Sequence, residues 1–185
     1  MLRLIPNLLT AFRLALIIPF LLSLYHKDYE QAFYLFLLAG LTDALDGWFA
    51  RHFKWQSSVG SFIDPLADKL LIASSFIALA LMGTLPWSLV VLVFLRDLTI
   101  SLGIVAWFCL IRHRIDFEPT LLSKINTVFQ IMLVTICLFE LAFLLKIPYL
   151  RDVFMALTFI TTLSSYIDYV WTWSKKACDK NHIVK

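Results

Sequence analysis

Residues 87–111 read WSLVVLVFLRDLTISLGIVAWFCLI, a stretch in which only Arg96 and Asp97 carry charge. A helix needs roughly 20 mostly apolar residues to cross the hydrocarbon core of a bilayer. The apolar residues are continuous and do not alternate with polar ones, which argues against a strand of a membrane barrel. This stretch therefore predicts a transmembrane helix.

Similar stretches recur along the chain. Of its 185 residues, 61% are hydrophobic and only 16% are charged. Runs long enough to cross a bilayer lie near 8–25, 31–50, 61–82, 87–111, 125–146 and 150–173. We therefore expect an all-α integral membrane protein with about six transmembrane helices, built as a single domain over residues 1–185.

Lysine and arginine mark the predicted cytoplasmic side. They concentrate at the N-terminus, in the loops after the second and fourth spans, and in the C-terminal tail. By the positive-inside rule both termini then face the cytoplasm. Only about six residues precede the first apolar run, which leaves no cleavable signal or transit peptide and favours a bacterial inner membrane. A net charge of +3 is too small for a protein that binds nucleic acid.

Four aspartates lie within or beside the second and third spans, on the predicted cytoplasmic side: Asp43, Asp46, Asp64 and Asp68. A carboxylate at the centre of a spanning helix costs about 3 kcal/mol. Arg51 and Lys69 would neutralise two of the four at most. We therefore expect the four acids to be functional and to hold a further positive group.

The spacing of the acids indicates what that group is. At about 100° per residue, Asp43 and Asp46 share one helix face, and Asp64 and Asp68 share another. Small residues lie on the same two faces: Gly47, Ala50 and Gly60. Clustered carboxylates suit Mg²⁺, Mn²⁺ or Ca²⁺, and Arg51 adds a planar donor suited to phosphate. These groups are the components of phosphoryl transfer, in which a cation neutralises developing charge and a carboxylate takes a proton.

The whole stretch reads Asp43-x-x-Asp46-Gly47-x-x-Ala50-Arg51, eight residues, then Gly60-x-x-x-Asp64-x-x-x-Asp68. It resembles the complete signature of the CDP-alcohol phosphatidyltransferases, with eight fixed positions in 26 residues. The resemblance implies transfer of a phosphatidyl-type group from a CDP-linked lipid to an alcohol, with release of CMP. It also implies a six-helix fold with both ends cytoplasmic, and a homodimer.

The resemblance assigns roles to individual residues as well. It implies that the four aspartates bind Mg²⁺ or Mn²⁺ and that Asp68 is the catalytic base that deprotonates the acceptor. It implies a CDP-binding set formed by Asn7, Thr10, Arg13, Asp46, Gly47, Ala50, Arg51 and Gly60.

The acceptor alcohol has two candidates. Residues 38–42, 64–69 and 119–127 are similar to the CMP-forming cardiolipin synthases, which join CDP-diacylglycerol to phosphatidylglycerol. The phosphatidylglycerophosphate synthases, which use glycerol 3-phosphate, typically have Gly-Lys where this chain has Ser123-Lys124. The sequence therefore favours phosphatidylglycerol and leaves glycerol 3-phosphate as the alternative. Both acceptors carry a phosphate, and we predict that it is bound by Arg96, Lys124, Arg112 and Arg114.

Two other classes of protein would also place acids in a membrane: a cation transporter or channel, and a scaffold whose helices are joined by ion pairs. An ion pathway is expected to distribute acids through the membrane depth and to show broken helices in two related halves. In this chain the four acids lie within 26 residues and no internal repeat is present. Both patterns favour the transferase.

Overall fold

Six helices make up the described part of the chain. The computed structural model describes residues 5–53, 60–111 and 121–180, and it describes side chains at 10–43, 45, 67–102 and 121–170. The helices are α1 (Ile5–Tyr25), α2 (Tyr29–Phe53), α3 (Gly60–Leu81), α4 (Trp87–Ile111), α5 (Leu121–Phe143) and α6 (Leu150–Lys180). No strand occurs in these three ranges, which confirms the all-α class.

The predicted helix boundaries agree with the structure to within three residues for α1 to α4. The prediction is less accurate for the last two helices, because α5 runs from 121 to 143 and α6 continues to 180. Apolarity marks the part of a helix that suits hydrocarbon, whereas polar residues with good helix propensity extend the helix beyond it. Lys124 in α5 and Lys175 in α6 lie in such extensions.

The turn between α1 and α2 is tight and well bonded. Lys27 has the left-handed φ of 64°, and the backbone N–H of Asp28 donates to the carbonyl of Ser23 at 2.8 Å. The Asp28 carboxylate accepts from the backbone N–H of Gln31 at 3.3 Å, which caps the start of α2. The turn therefore holds α1 and α2 side by side.

The described chain divides into two compact units, of which the first comprises Met1–Leu85 and Ile131–Arg151. Its core contains Phe20 and Phe36, with ring centres 5.9 Å apart, and Phe33, whose ring contacts Phe139 and Phe143 at 5.9 and 5.6 Å. These aromatic pairs join α2 to α1 and to the end of α5.

The second unit comprises Pro86–Gln130 and Asp152–Lys185. Within it, α4 buries Leu89, Val93 and Arg96 at helical spacing. Its opposite face exposes large apolar side chains: Val91, Leu95, Leu98 and Leu102. A helix in water would place polar residues on its outer face, so this pattern favours contact with lipid.

Membrane-spanning character is clear for two helical segments of the described chain. Leu121–Phe143 and Leu150–Val170 are long and apolar enough to cross a bilayer, and Thr10–Tyr25 is a shorter apolar helix. The six spans, the cytoplasmic termini and the single domain over residues 1–185 stay predictions.

A polar contact joins α5 to α6 inside the second unit. Asn126 has no exposed surface, and its side-chain oxygen accepts from the hydroxyls of Thr161 and Thr162 at 3.0 and 2.8 Å. One turn later on α5, Gln130 is also buried, but its Nε2 has no hydrogen-bond partner. The two amides therefore differ in what they contribute to the fold.

We expect Asn126→Leu to lower the free energy of unfolding by about 1 kcal/mol, because hydrogen bonds between helices in a bilayer have about that strength. Gln130→Leu is the matched control and should change it by less than half as much, because the buried Nε2 has no bond to lose. Unfolding by sodium dodecyl sulfate, followed by circular dichroism, measures both values. An equal loss in the two variants would contradict the assignment.

Candidate active site

A buried arginine joins three helices at the predicted acidic cluster. The side chain of Arg13 on α1 has no exposed surface. Its Nη2 lies 2.9 Å from Oδ1 of Asp43 on α2, and its Nη1 donates to Oδ1 of Asp68 on α3. The structure therefore brings together two of the four predicted acids, which are separated by a loop and two helix segments in the sequence.

Small and apolar side chains let these helices approach. On α2, Ala32, Phe36, Ala39 and Thr42 are buried at helical spacing and lead to Asp43. On α3, Ala67 has no exposed surface and directly precedes Asp68. The acids thus lie at one end of a packed apolar seam, where the helix backbones hold them close to Arg13.

The charges of this cluster do not cancel. One guanidinium faces two carboxylates, so these three groups alone carry one net negative charge when ionised. The side chains of Asp43 and Asp68 remain 46% and 41% exposed, whereas Arg13 is fully enclosed. The arrangement presents accessible carboxylate oxygens backed by a buried positive charge.

Carboxylate oxygens of this kind are the donors that Mg²⁺ and Mn²⁺ prefer. The residues present therefore fit a divalent cation by donor type and by accessibility. The other two predicted ligands, Asp46 and Asp64, have side chains outside the described set. No group of three or more His, Cys, Asp or Glu side chains that would hold a metal occurs among the described residues.

The predicted CDP-binding residues are only partly described. Thr10 is buried on α1, three residues before Arg13. Four more lie on described helix backbone, with side chains outside the described set: Asn7 on α1, and Gly47, Ala50 and Arg51 on α2. Gly60 is the first residue of α3. Their contacts with a nucleotide stay predictions.

A second buried arginine lies in the other unit. Arg96 is 5% exposed, and its Nη1 lies 2.6 Å from the Asp97 carboxylate. Its Nη2 donates to the hydroxyls of Ser123 at 2.6 Å and Ser165 at 2.9 Å, while Nε has no partner. These contacts fix the guanidinium among α4, α5 and α6 and leave one buried N–H to be satisfied.

The other predicted acceptor residues stand differently. Lys124 is exposed at the start of α5, beside the serine that binds Arg96. Arg112 and Arg114 lie outside the described residues. The structure thus places Arg96 in a polar cluster and does not join it to the other three.

The sequence model of CDP-alcohol phosphatidyltransferases matches residues 3–164 of the chain. The match includes all eight positions of the signature between residues 43 and 68. The chain belongs to the CDP-alcohol phosphatidyltransferase family. It is thus an enzyme of phospholipid biosynthesis that transfers a phosphatidyl-type group.

Similar proteins carry two activities in their names. The probable phosphatidylglycerophosphate synthase of Mycobacterium tuberculosis (strain ATCC 25618 / H37Rv) is 33% identical over 90% of this chain and 79% of its own length. The CMP-forming cardiolipin synthase of Rattus norvegicus is 32% identical over 89% of this chain, which spans only 60% of that protein. The CDP-diacylglycerol--glycerol-3-phosphate 3-phosphatidyltransferase of Wigglesworthia glossinidia brevipalpis is 29% identical over 90% of this chain and 94% of its own length. Identity of this size does not separate the two acceptors.

Several polar residues of this phosphatidyltransferase escaped the sequence analysis. They are buried in the second unit on α5 and α6: Asn126, Gln130, Thr158, Thr162 and Ser165. Their sequence signal was present, because they recur at intervals of three or four residues inside apolar segments and so share one helix face. Charge alone had drawn attention to Arg96 and left its serine partners unnoticed.

The Arg13 cluster makes a prediction about stability. Asp43→Ala removes one of the two described partners of a fully buried charge, so we expect a loss of about 1–2 kcal/mol in the free energy of unfolding, reduced from the value for a fully buried pair because Asp43 is half exposed. Glu30→Ala is the control, an exposed acid on the same helix, and should change stability by less than about 0.5 kcal/mol. Detergent-based unfolding in the absence of metal and nucleotide checks both. Equal effects would show that the Arg13 contact contributes nothing.

Proposed function

We propose that this enzyme transfers the phosphatidyl group of CDP-diacylglycerol to phosphatidylglycerol, forming cardiolipin and CMP. The observation that carries the proposal is the meeting of Asp43 and Asp68, from two different helices, on the guanidinium of Arg13. Two positions of the family signature thereby become one half-exposed acidic site. Glycerol 3-phosphate is the alternative acceptor, supported by the relatives named as phosphatidylglycerophosphate synthases.

In the proposed reaction Asp68 takes the proton from the acceptor hydroxyl. The hydroxyl oxygen forms a bond to the lipid-bearing phosphorus of CDP-diacylglycerol, the bond from that phosphorus to the bridging oxygen breaks, and its electron pair leaves with CMP. Asp68 suits this role because its carboxylate is 41% exposed, while Arg13 fixes its orientation from the buried side. Arg51 would orient the donor by bonding a phosphate oxygen.

Mg²⁺ or Mn²⁺, when bound by Asp43, Asp46, Asp64 and Asp68, would neutralise charge that develops on the donor's pyrophosphate. The donor pocket proposed from the resemblance comprises Asn7, Thr10, Arg13, Asp46, Gly47, Ala50, Arg51 and Gly60. Within this set the full burial of Arg13 favours an indirect role, in which it holds the acids that face the nucleotide.

The acceptor phosphate is proposed to bind at Arg96, with Lys124, Arg112 and Arg114 at the mouth of the site. Ser123 and Ser165 hold the Arg96 guanidinium in place, and its Nε has a hydrogen still to donate. A charge-assisted bond to a phosphate oxygen would satisfy that buried donor.

We further propose that all six helices cross the bacterial inner membrane, that both termini and the active site face the cytoplasm, and that the enzyme forms a homodimer. The two span-length apolar segments and the apolar outer face of α4 support the multi-pass arrangement. Membrane lipids, CDP-diacylglycerol and an anionic alcohol acceptor are the proposed partners, with no role for nucleic acid.

The acceptor is tested by product analysis. Purified enzyme with labelled CDP-diacylglycerol and Mg²⁺ or Mn²⁺ should release CMP and form cardiolipin when phosphatidylglycerol is added. Formation of phosphatidylglycerophosphate from glycerol 3-phosphate, with no cardiolipin from phosphatidylglycerol, would replace the proposed acceptor by the alternative. Metal flux into proteoliposomes without nucleotide, together with no transfer to either alcohol, would favour a cation transporter.

Asp68→Asn should lower the rate of CMP release by at least about 100-fold, because a positioned base contributes 10²–10⁴-fold. The asparagine retains an oxygen for Arg13, so the thermal unfolding midpoint should change little. Asp168→Asn is the control, since this acid on α6 has no proposed role, and its activity should equal that of the wild type. Activity of Asp68→Asn within a few fold of the wild type would exclude Asp68 as the base.

Arg96→Gln should lower kcat/KM for the acceptor by about 10–100-fold, chiefly through KM, because it removes a charge-assisted bond to phosphate. The KM for CDP-diacylglycerol should stay within twofold. Arg96→Lys keeps the charge but loses the forked donor, so we expect an intermediate KM. An unchanged acceptor KM in Arg96→Gln would assign Arg96 to the fold alone.

A further inference from the structure

Arg13 and a bound cation would use the same carboxylates. Both contacts of the guanidinium described above go to Oδ1 atoms of acids that the family signature assigns to the metal. Arginine stays protonated at any pH that a protein survives, and this one has no access to solvent. Its positive charge is therefore a permanent part of the acidic site.

We infer that Arg13 is a built-in counter-ion, which holds Asp43 and Asp68 together while the cation is absent and lowers the affinity of the site for that cation. The inference rests on the proposed metal-dependent function and goes beyond it, because it makes Arg13 a positioning residue that acts through the acids. In this role the guanidinium does not contact the nucleotide.

The physical reason is a competition between like charges. In the metal-free site, two neighbouring carboxylates repel each other and also lose water as the helices pack, and a buried guanidinium offsets both costs. When a doubly charged cation binds the same acids, the guanidinium repels it and withdraws electron density from the shared oxygens. The arrangement stabilises the empty site at the expense of metal affinity.

A direct role in binding the nucleotide makes different predictions. If Arg13 contacted the donor phosphates, its removal would weaken CDP binding and leave the affinity for metal alone unchanged. If it were only a structural tie, its removal would lower stability by the same amount with and without metal. Metal affinity measured without nucleotide separates these roles from the counter-ion.

The test uses full-length enzyme in detergent, titrated with Mn²⁺ in the absence of nucleotide, with free Mn²⁺ followed by electron paramagnetic resonance. Arg13→Gln should bind Mn²⁺ about tenfold more tightly than the wild type, within the 5–150-fold range typical of coupling between neighbouring sites. Saturating Mn²⁺ should also raise its thermal unfolding midpoint by more than that of the wild type. Tenfold tighter binding corresponds to about 1.4 kcal/mol of additional stabilisation.

Arg151→Gln is the matched control. Arg151 pairs with Glu140 at 3.7 Å in the same unit, and neighbouring Phe139 packs on Phe33. Phe33 lies ten residues before Asp43 on α2, or about 15 Å along the helix. This variant also loses an arginine that faces an acid, and its Mn²⁺ affinity should equal that of the wild type.

If Arg13→Gln does not fold, Arg13→Lys carries the test, because lysine keeps the charge but cannot bond two carboxylates through a fork. It should bind Mn²⁺ about threefold more tightly than the wild type. Unchanged or weaker Mn²⁺ affinity in the folded Arg13 variant would overturn the inference and leave the proposed function intact. Absence of Mn²⁺ binding by the wild type would overturn both.

Discussion

A single guanidinium with no access to solvent determines how this enzyme is built around its acids. Arg13 draws carboxylates from α2 and α3 to α1, and the apolar seam that leads to it consists of small or flat side chains that allow the approach. Two carboxylates on adjacent helices in a bilayer would otherwise repel each other with little water to screen them. The site can therefore be acidic because a cation of the chain itself lies behind it.

The same constraint is met differently in the second unit. Arg96 is almost as deeply buried as Arg13, yet it has one adjacent carboxylate and two hydroxyls, so its cluster is close to neutral rather than acidic. A neutral cluster with a donor to spare suits an anion, whereas an acidic one suits a cation. The two buried arginines thus mark opposite electrostatic environments within one chain.

The sequence predicted the helices and the identity of the acids, but it did not predict which groups neutralise them. Hydropathy and spacing depend on neighbours along the chain, and these placed α1 to α4 and grouped Asp43 with Asp46 and Asp64 with Asp68. The partner of Asp43 and Asp68 lies 30 residues or more away in the sequence, so only the packing of α1 reveals it. Similarly, Ser123 and Ser165 read as ordinary residues of apolar helices until the fold brings them to Arg96.

The length of α6 has a consequence for the supply of lipid to the enzyme. Its 31 residues extend about 46 Å, whereas the hydrocarbon core is about 30 Å thick, so the helix continues well into the headgroup layer. Lys175, Lys176 and Lys180 belong to its final turns, which under the proposed topology emerge on the cytoplasmic surface. A rigid basic rod at that depth attracts anionic lipids, each basic residue contributing about 1 kcal/mol near such a surface. The enzyme would then stand in a local pool enriched in the negatively charged phospholipids that its family consumes and produces.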